Sequence, residues 1–280
     1  MKTFESKWQG KDGITFHVQG WEPDGRSKAL LALIHGLGEH TGRYADAGKV
    51  MTDADYALIG FDLRGHGKSG GARGHCPSLD AYMQDIREFF RLMTPRHPEV
   101  PHFLYGHSLG GLLSLVYALL NRQGLMGVVA TGTALRSSLQ EQKGKIAMVK
   151  VLGSLLPTMT VHSGLDPGTI SRDPDVVQAY IEDPLVHYRT SLGFGKTALS
   201  AIERCFAHAR EFRLPLLMMH GTEDRLVYPG GSEDFAGLVS GAGGEVTLKL
   251  WDGLYHEIHN EPEKAEVFKF MIEWLDRHLK

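Results

Sequence analysis

Residues Val100–Asn121 read VPHFLYGHSLGGLLSLVYALLN, 22 positions without one Asp, Glu, Lys or Arg. Length alone makes this run a candidate membrane span. Its middle argues otherwise. Gly106, His107, Ser108, Gly110 and Gly111 split it into two apolar pieces, neither long enough to cross a bilayer. His102–Tyr105 reads as a buried strand that stops at Gly106, and Leu109–Leu120 as a helix. Between them, Gly106-His107-Ser108-Leu109-Gly110 matches G-x-S-x-G. A serine on a tight strand-to-helix turn is lifted above the sheet edge, with a helix N-terminus behind it to favour negative charge. Ser108 is therefore the candidate nucleophile.

The same pattern occurs at Gly67-Lys68-Ser69-Gly70-Gly71, but Ser69 follows a loop and no helix starts before Ser78 or Asp80. It reads as a loop serine. The ending Gly67-Lys68-Ser69 also resembles a phosphate-binding loop, yet Asp62 stands where that motif needs its first glycine. His256-Glu257-Ile258-His259 falls one residue short of the H-E-x-x-H zinc pattern, because Asn260 occupies the second ligand position. No catalytic metal and no cofactor are expected.

Outward from the elbow, short apolar runs alternate with helical patterns. Strands are expected at Gly13–Trp21, Leu30–Ile34, Tyr56–Phe61, Leu125–Ala130, Leu214–Met219 and Val246–Trp251. Helices are expected at Asp80–Met93, Ser232–Val239 and Pro262–Leu279. This alternation predicts an α/β fold with a mostly parallel sheet covered on both faces. From Thr133 to Phe212 no strand is evident. That stretch holds a helical piece at Ile146–Leu156 and turns at Asp166-Pro167-Gly168, Asp173-Pro174-Asp175 and Asp183-Pro184. A structureless loop of this length is implausible, so 133–212 reads as an inserted helical cap between two halves of one core, 1–132 and 213–280.

Whole-chain composition agrees. With 280 residues, 42% hydrophobic and 22% charged, the chain can bury a core without disulfides or metals. The net charge of −3 gives no basic face for nucleic acid. Cys76 and Cys205 cannot build a disulfide framework, and Lys2, Glu5 and Lys7 interrupt any apolar leader. A cytoplasmic protein is expected.

A serine nucleophile needs a histidine base and a carboxylate to orient it. His256 lies in a loop just after the last strand, where catalytic groups of parallel sheets gather. Asp224 follows the strand at Leu214–Met219, with Glu223 as its local rival. His35 and His220 end strands and read as structural. The order Ser, Asp, His suits this arrangement. The oxyanion formed on attack needs fixed donors. The N–H of Leu109 is one, and the N–H of Leu37, in the loop His35-Gly36-Leu37-Gly38, is the other.

Four strings together, His35-Gly36-Leu37-Gly38-Glu39-His40-Thr41-Gly42-Arg43-Tyr44, Asp62-x-Arg64-Gly65-His66-Gly67-x-Ser69, Gly106-His107-Ser108-x-Gly110-Gly111 and Gly221-x-x-Asp224-Arg225-Leu226, resemble the monoacylglycerol lipase branch of the α/β-hydrolase superfamily, with its lysophospholipase-like relatives. The resemblance covers essentially the whole chain. It implies hydrolysis of a single acyl ester of glycerol, with the cap roofing an acyl tunnel. It also implies that Glu39, Arg43 and the cap residue Tyr180 hold the glycerol end. On the residues alone, Glu39 and Arg43 can equally pair with each other to fix the loop. Leu37 departs from the family by its size, which narrows the pocket, and Cys205 is the cap's sole cysteine. The expected partner is an acylglycerol or another lipid ester. Within the cap, Lys143–Met159 mixes lysines with Ile, Met, Val and Leu, so it either rests on a lipid surface or packs on the cap's own core. A lysophospholipase or a broad carboxylesterase is the nearest alternative. A non-catalytic lipid-binding protein on the same scaffold is a more distant one, which an intact triad disfavours.

Overall fold

The computed structural model describes residues 1–279. Its first two strands, β1 (Lys2–Gln9) and β2 (Thr15–Glu22), pair antiparallel at one edge of the sheet. There follow β3 (Ala29–Ile34), α1 (Ala45–Asp53), β4 (Tyr56–Phe61), α2 (Leu79–Met93), β5 (His102–His107), α3 (Leu109–Leu120) and β6 (Gly127–Thr131). After α4 (Lys143–Leu155), β7 (Thr160–His162), α5 (Pro174–Glu182), β8 (Arg189–Ser191) and α6 (Leu192–His208), the main sheet resumes. It ends with β9 (Leu216–Gly221), α7 (Gly230–Ser240), β10 (Val246–Trp251) and α8 (Lys264–Arg277).

Eight strands form one sheet in the order β1-β2-β4-β3-β5-β6-β9-β10. From β4 to β10 every neighbouring pair is parallel, and β2 joins β4 antiparallel. The expected mostly parallel sheet is what the chain forms. Both faces are covered, so the central strands are buried at every position rather than at alternate ones. Along β3, Leu30, Ala32 and Ile34 enter the core beneath α2, α3 and α6, while Ala29, Leu31 and Leu33 enter the core beneath α1 and α8.

Two parts of the fold depart from the expectation. β1 was not anticipated, because only Phe4 and Trp8 turn toward the core and the remaining positions are exposed. Trp8 stacks on Phe16 of β2 at 4.6 Å, which anchors the strand. The stretch expected to lack strands contains β7 and β8, which pair antiparallel. At three residues each they are too short to show a period. Of the helices in that stretch, α6 sends Phe194, Ala201 and Cys205 into the main core. By contrast, α4 buries only Gly153.

Candidate active site

The elbow is built by exclusion of side chains. Ser108 has φ +53° and ψ −115°, a left-handed strain that a non-glycine residue rarely carries. The turn is this tight because three neighbours lack a Cβ. At Gly110 a Cβ would lie 1.9 Å from the Ile34 carbonyl oxygen. At Gly106 it would lie 2.3 Å from that of Gly110, and at Gly36 3.3 Å from the Ser108 Cβ. Helix α3 is thereby pressed against the end of β3, and Ser108 against the loop after it. The Ser108 N–H donates to Thr131 O at 2.9 Å, tying the elbow to β6.

Asp224 and His256 meet across 32 residues of sequence. His256 Nδ1 lies 2.6 Å from Asp224 Oδ2. Since a carboxylate only accepts, Nδ1 carries the proton and Nε2 is left as the basic nitrogen. Asp224 is fully occupied. Its Oδ1 accepts the N–H groups of Leu226 and Val227, each at 2.9 Å, and its Oδ2 also accepts from His220 Nε2 at 3.0 Å. Burial alone would raise the Asp224 carboxyl, but the His256 charge and these hydrogen bonds outweigh it and hold it well below the usual range. Burial likewise works against a charge on His256, and Asp224 overcomes it, so the imidazole is raised. The rival Glu223 is exposed, its carboxylate 3.8 Å from Arg225.

Ser108 and His256 line one cavity of about 490 Å³ together with Leu37, Leu109, Glu39, Tyr180 and Glu257. Among the described residues no hydrogen bond joins Ser108 Oγ to His256. Apo sites often show this bond long, closing only when substrate is bound. The N–H groups of Leu37 and Leu109 donate to no protein acceptor among the described residues. The peptide that carries the Leu37 N–H is held by His35. His35 Nε2 accepts the Leu63 N–H at 2.9 Å, so Nδ1 bears the proton and donates to Gly36 O at 2.7 Å. Ser69 has no such setting. It is buried, its Oγ donating to Asp62 O at 2.6 Å and accepting from His17 N at 2.9 Å.

Glu39 and Arg43 sit in a buried network. Glu39 Oε1 accepts from the Gly36 N–H at 2.6 Å and from Tyr44 Oη at 2.8 Å. Arg43 bridges Glu39, at 2.8 Å, and Glu257, which it grips with both Nη atoms at 2.6 and 2.7 Å. Its guanidinium also lies over the Tyr180 ring, 4.5 Å from the centroid. Glu39, Glu257 and Tyr180 reach the cavity wall and Arg43 stands behind them. Burial would raise the Glu257 carboxyl, but Arg43 holds it low. Glu257 escaped the sequence reading. It mattered there only as part of a failed zinc pattern, and its partner lies 214 residues away. Among the described residues no cluster of three or more His, Cys, Asp or Glu is placed to hold a metal ion.

Much of the remaining wall is apolar, with Leu112, Leu139, Ile170, Phe194, Leu199 and Ile202, and Arg136, Gln140 and Arg225 are among its polar residues. A serine beside a carboxylate-oriented imidazole, two free backbone donors and a long apolar recess can form and resolve an acyl intermediate.

Comparison with known proteins agrees with this chemistry. A family model described as serine aminopeptidase, S33, matches residues 25–263. An uncharacterized abhydrolase domain-containing protein of Dictyostelium discoideum is 36% identical over 96% of this chain, which spans only 28% of that protein's length. A monoacylglycerol lipase of Mycolicibacterium smegmatis is 33% identical, over 98% of each chain. Among solved structures, a monoacylglycerol lipase of Paleococcus ferrophilus is similar at 34% identity and TM-score 0.84, covering 99% of this chain and 100% of its own.

Proposed function

The chain belongs to the serine aminopeptidase S33 family of α/β hydrolases, and from that premise we propose that it is a serine esterase that cleaves monoacylglycerols to a fatty acid and glycerol. The single observation that carries the reading is the site itself: Ser108 and the Asp224-oriented His256 opening on one apolar cavity whose inner wall holds Glu39, Glu257 and Tyr180. Resemblance to monoacylglycerol lipases over nearly the full chain selects the substrate class.

In the proposed mechanism, His256 Nε2 takes the Ser108 proton as Oγ attacks the ester carbonyl. The resulting oxyanion is received by the N–H groups of Leu37 and Leu109. His256 then protonates the departing glycerol oxygen, leaving an acyl-Ser108. Water, deprotonated by the same imidazole, releases the fatty acid. Asp224 keeps the imidazole in the required tautomer throughout. Glu39 and Tyr180 contribute acceptors and a hydroxyl for glycerol, and Arg43 fixes both from behind. Beyond Glu39 and Glu257 the cavity wall is largely apolar, which suits an acyl chain. Of the two cavity arginines, Arg136 pairs with Asp234 and Arg225 lies 3.8 Å from Glu223.

The cap helix α4 supports an additional role at a lipid surface. Met148, Val151 and Leu155 are 50%, 57% and 70% exposed, close to Lys143, Lys145 and Lys150. Apolar side chains beside lysines suit a headgroup boundary. No helix among the described residues is long and apolar enough to cross a membrane, so this contact would be peripheral.

A panel of purified enzyme against a monoacylglycerol, a lysophospholipid and a methyl ester of equal acyl length tests the substrate class. The monoacylglycerol is expected to give the highest kcat/KM. Equal or faster turnover of the lysophospholipid would overturn the glycerol assignment while leaving the serine mechanism in place.

A further inference from the structure

The loop that offers the Leu37 N–H is held from two sides. Its first part is fixed from the core. Glu39 Oε1 accepts the Gly36 N–H at 2.6 Å, and His35 Nδ1 donates to Gly36 O at 2.7 Å. Beyond Leu37, Gly38 and His40 find their partners in the cap. The Gly38 carbonyl accepts the His187 N–H at 2.9 Å. Gly38 has φ +79°, and a Cβ there would lie 2.5 Å from the His187 carbonyl oxygen, so the two backbones touch directly. Two residues beyond Gly38, His40 reaches Asp183 in the cap, Nε2 to Oδ2 at 2.8 Å.

His40 is set up for one arrangement. Its Nδ1 accepts the Gly42 N–H at 3.1 Å, which leaves the proton on Nε2 to donate to Asp183. Asp183 in turn uses Oδ1 to accept the Leu185 N–H at 2.8 Å, bracing the turn that delivers His187. His187 Nε2 lies 3.0 Å from Gly65 O, so the same turn is pinned to the loop after β4. The His40–Asp183 pair is mostly buried, with side-chain exposures of 9% and 22%.

We propose that the Asp183–His187 turn of the cap is a positioning element for the oxyanion loop, so that how the cap is seated sets the rate of the chemical step as well as access to the cavity. This rests on the serine-esterase reading. A donor misplaced by a fraction of an ångström loses much of its transition-state contact, because the oxyanion is stabilised only by donors already in place. Asp183 and His187 act through Gly38 and His40 and touch no reacting atom.

The test uses two esters: a short nitrophenyl ester, which needs little of the cap, and a long-chain monoacylglycerol. Asp183→Asn keeps the volume and one acceptor oxygen, so it can serve Leu185 or His40 but not both. His40→Ala breaks the pair from the core side. Each is expected to lower kcat on both esters about tenfold or more, with KM for the short ester changed less than about threefold. The double variant is expected to be no worse than either single one, since both remove one interaction. Thermal unfolding of each variant identifies any that fails to fold, and the other member of the pair then carries the comparison. Unchanged kcat on the short ester, with only the long-chain KM raised, would overturn the proposal and make the turn a wall of the acyl tunnel. Multiplicative losses in the double variant would overturn the pairing. Failure of the underlying reading looks different: the wild-type protein itself would show no turnover that Ser108→Ala removes.

Discussion

Helices α3 and α4 are both rich in Leu and Val, yet the fold treats them oppositely. Every residue of α3 from Leu109 to Ala118 is buried, between the sheet and the helices packed on it. On α4 only Gly153 is buried, and Leu155 is 70% exposed. Apolar side chains in α3 are consumed by packing, and the packing is what holds Ser108 in a strained turn. On α4, Ile146, Val149 and Leu152 are half-buried, but Met148, Val151 and Leu155 are left over by the fold. Hydrophobicity therefore does different work in the two helices. In one it holds the strained turn at Ser108, and in the other part of it stays at the surface.

The contrast breaks most readily at the head of α3. Ser108→Ala should cut turnover of a nitrophenyl ester by about 10⁴-fold or more while leaving the unfolding midpoint near wild type. Retained turnover would separate the elbow from the chemistry altogether. Deeper in the same helix, Leu115 is fully buried. Leu115→Ala should cost about 3 kcal/mol in urea unfolding, and a loss below about 1 kcal/mol would show that α3 is less constrained than its burial implies.

The pH profile sharpens the elbow side of the comparison. Asp224 raises the His256 pKa above the ordinary histidine value, and His256 must be neutral to act as base. As pH falls through that raised pKa the base is lost. kcat/KM should therefore fall on the acid side from a midpoint above about 6.5, by roughly tenfold per unit once well below it. A flat profile between pH 5 and 8 would remove His256 from the role. The smallest effects belong to α4. Replacing Met148, Val151 and Leu155 together by Ser should change stability by less than about 1 kcal/mol, because no core contact is lost. Vesicle binding should weaken about tenfold or more, read by sedimentation with anionic vesicles, with kcat on a dissolved short ester unchanged. Unaltered vesicle binding would return α4 to the role of an ordinary cap helix.

Much of this was legible in the chain because the signals are local. The elbow declares itself in five consecutive residues, and each main strand around it is a short apolar run ended by a glycine or a polar turn. Asp224 and His256 could be placed by their position after β9 and β10. What stayed hidden depends on distant partners. Glu257 carries no local sign that it will grip Arg43. The pairing of Glu39 with Arg43, open on the sequence, is present at 2.8 Å and extends to a third charged group. His35 was read as structural, but its contact to Gly36 O gives that structure a direction, toward the Leu37 N–H. Edge strand β1 and the β7–β8 pair were missed because so few of their side chains are buried.

The glycines around Ser108 carry a practical consequence for altering this protein by mutation. Gly106 and Gly110 have no room for a single added carbon, so a library that varies them will yield mostly misfolded or inert chains. Cavity positions such as Leu139, Ile170, Leu199 and Ile202 lie between β6 and β9, outside the elbow. Acyl-length selectivity should thus be tunable there, at positions that carry none of these close backbone approaches.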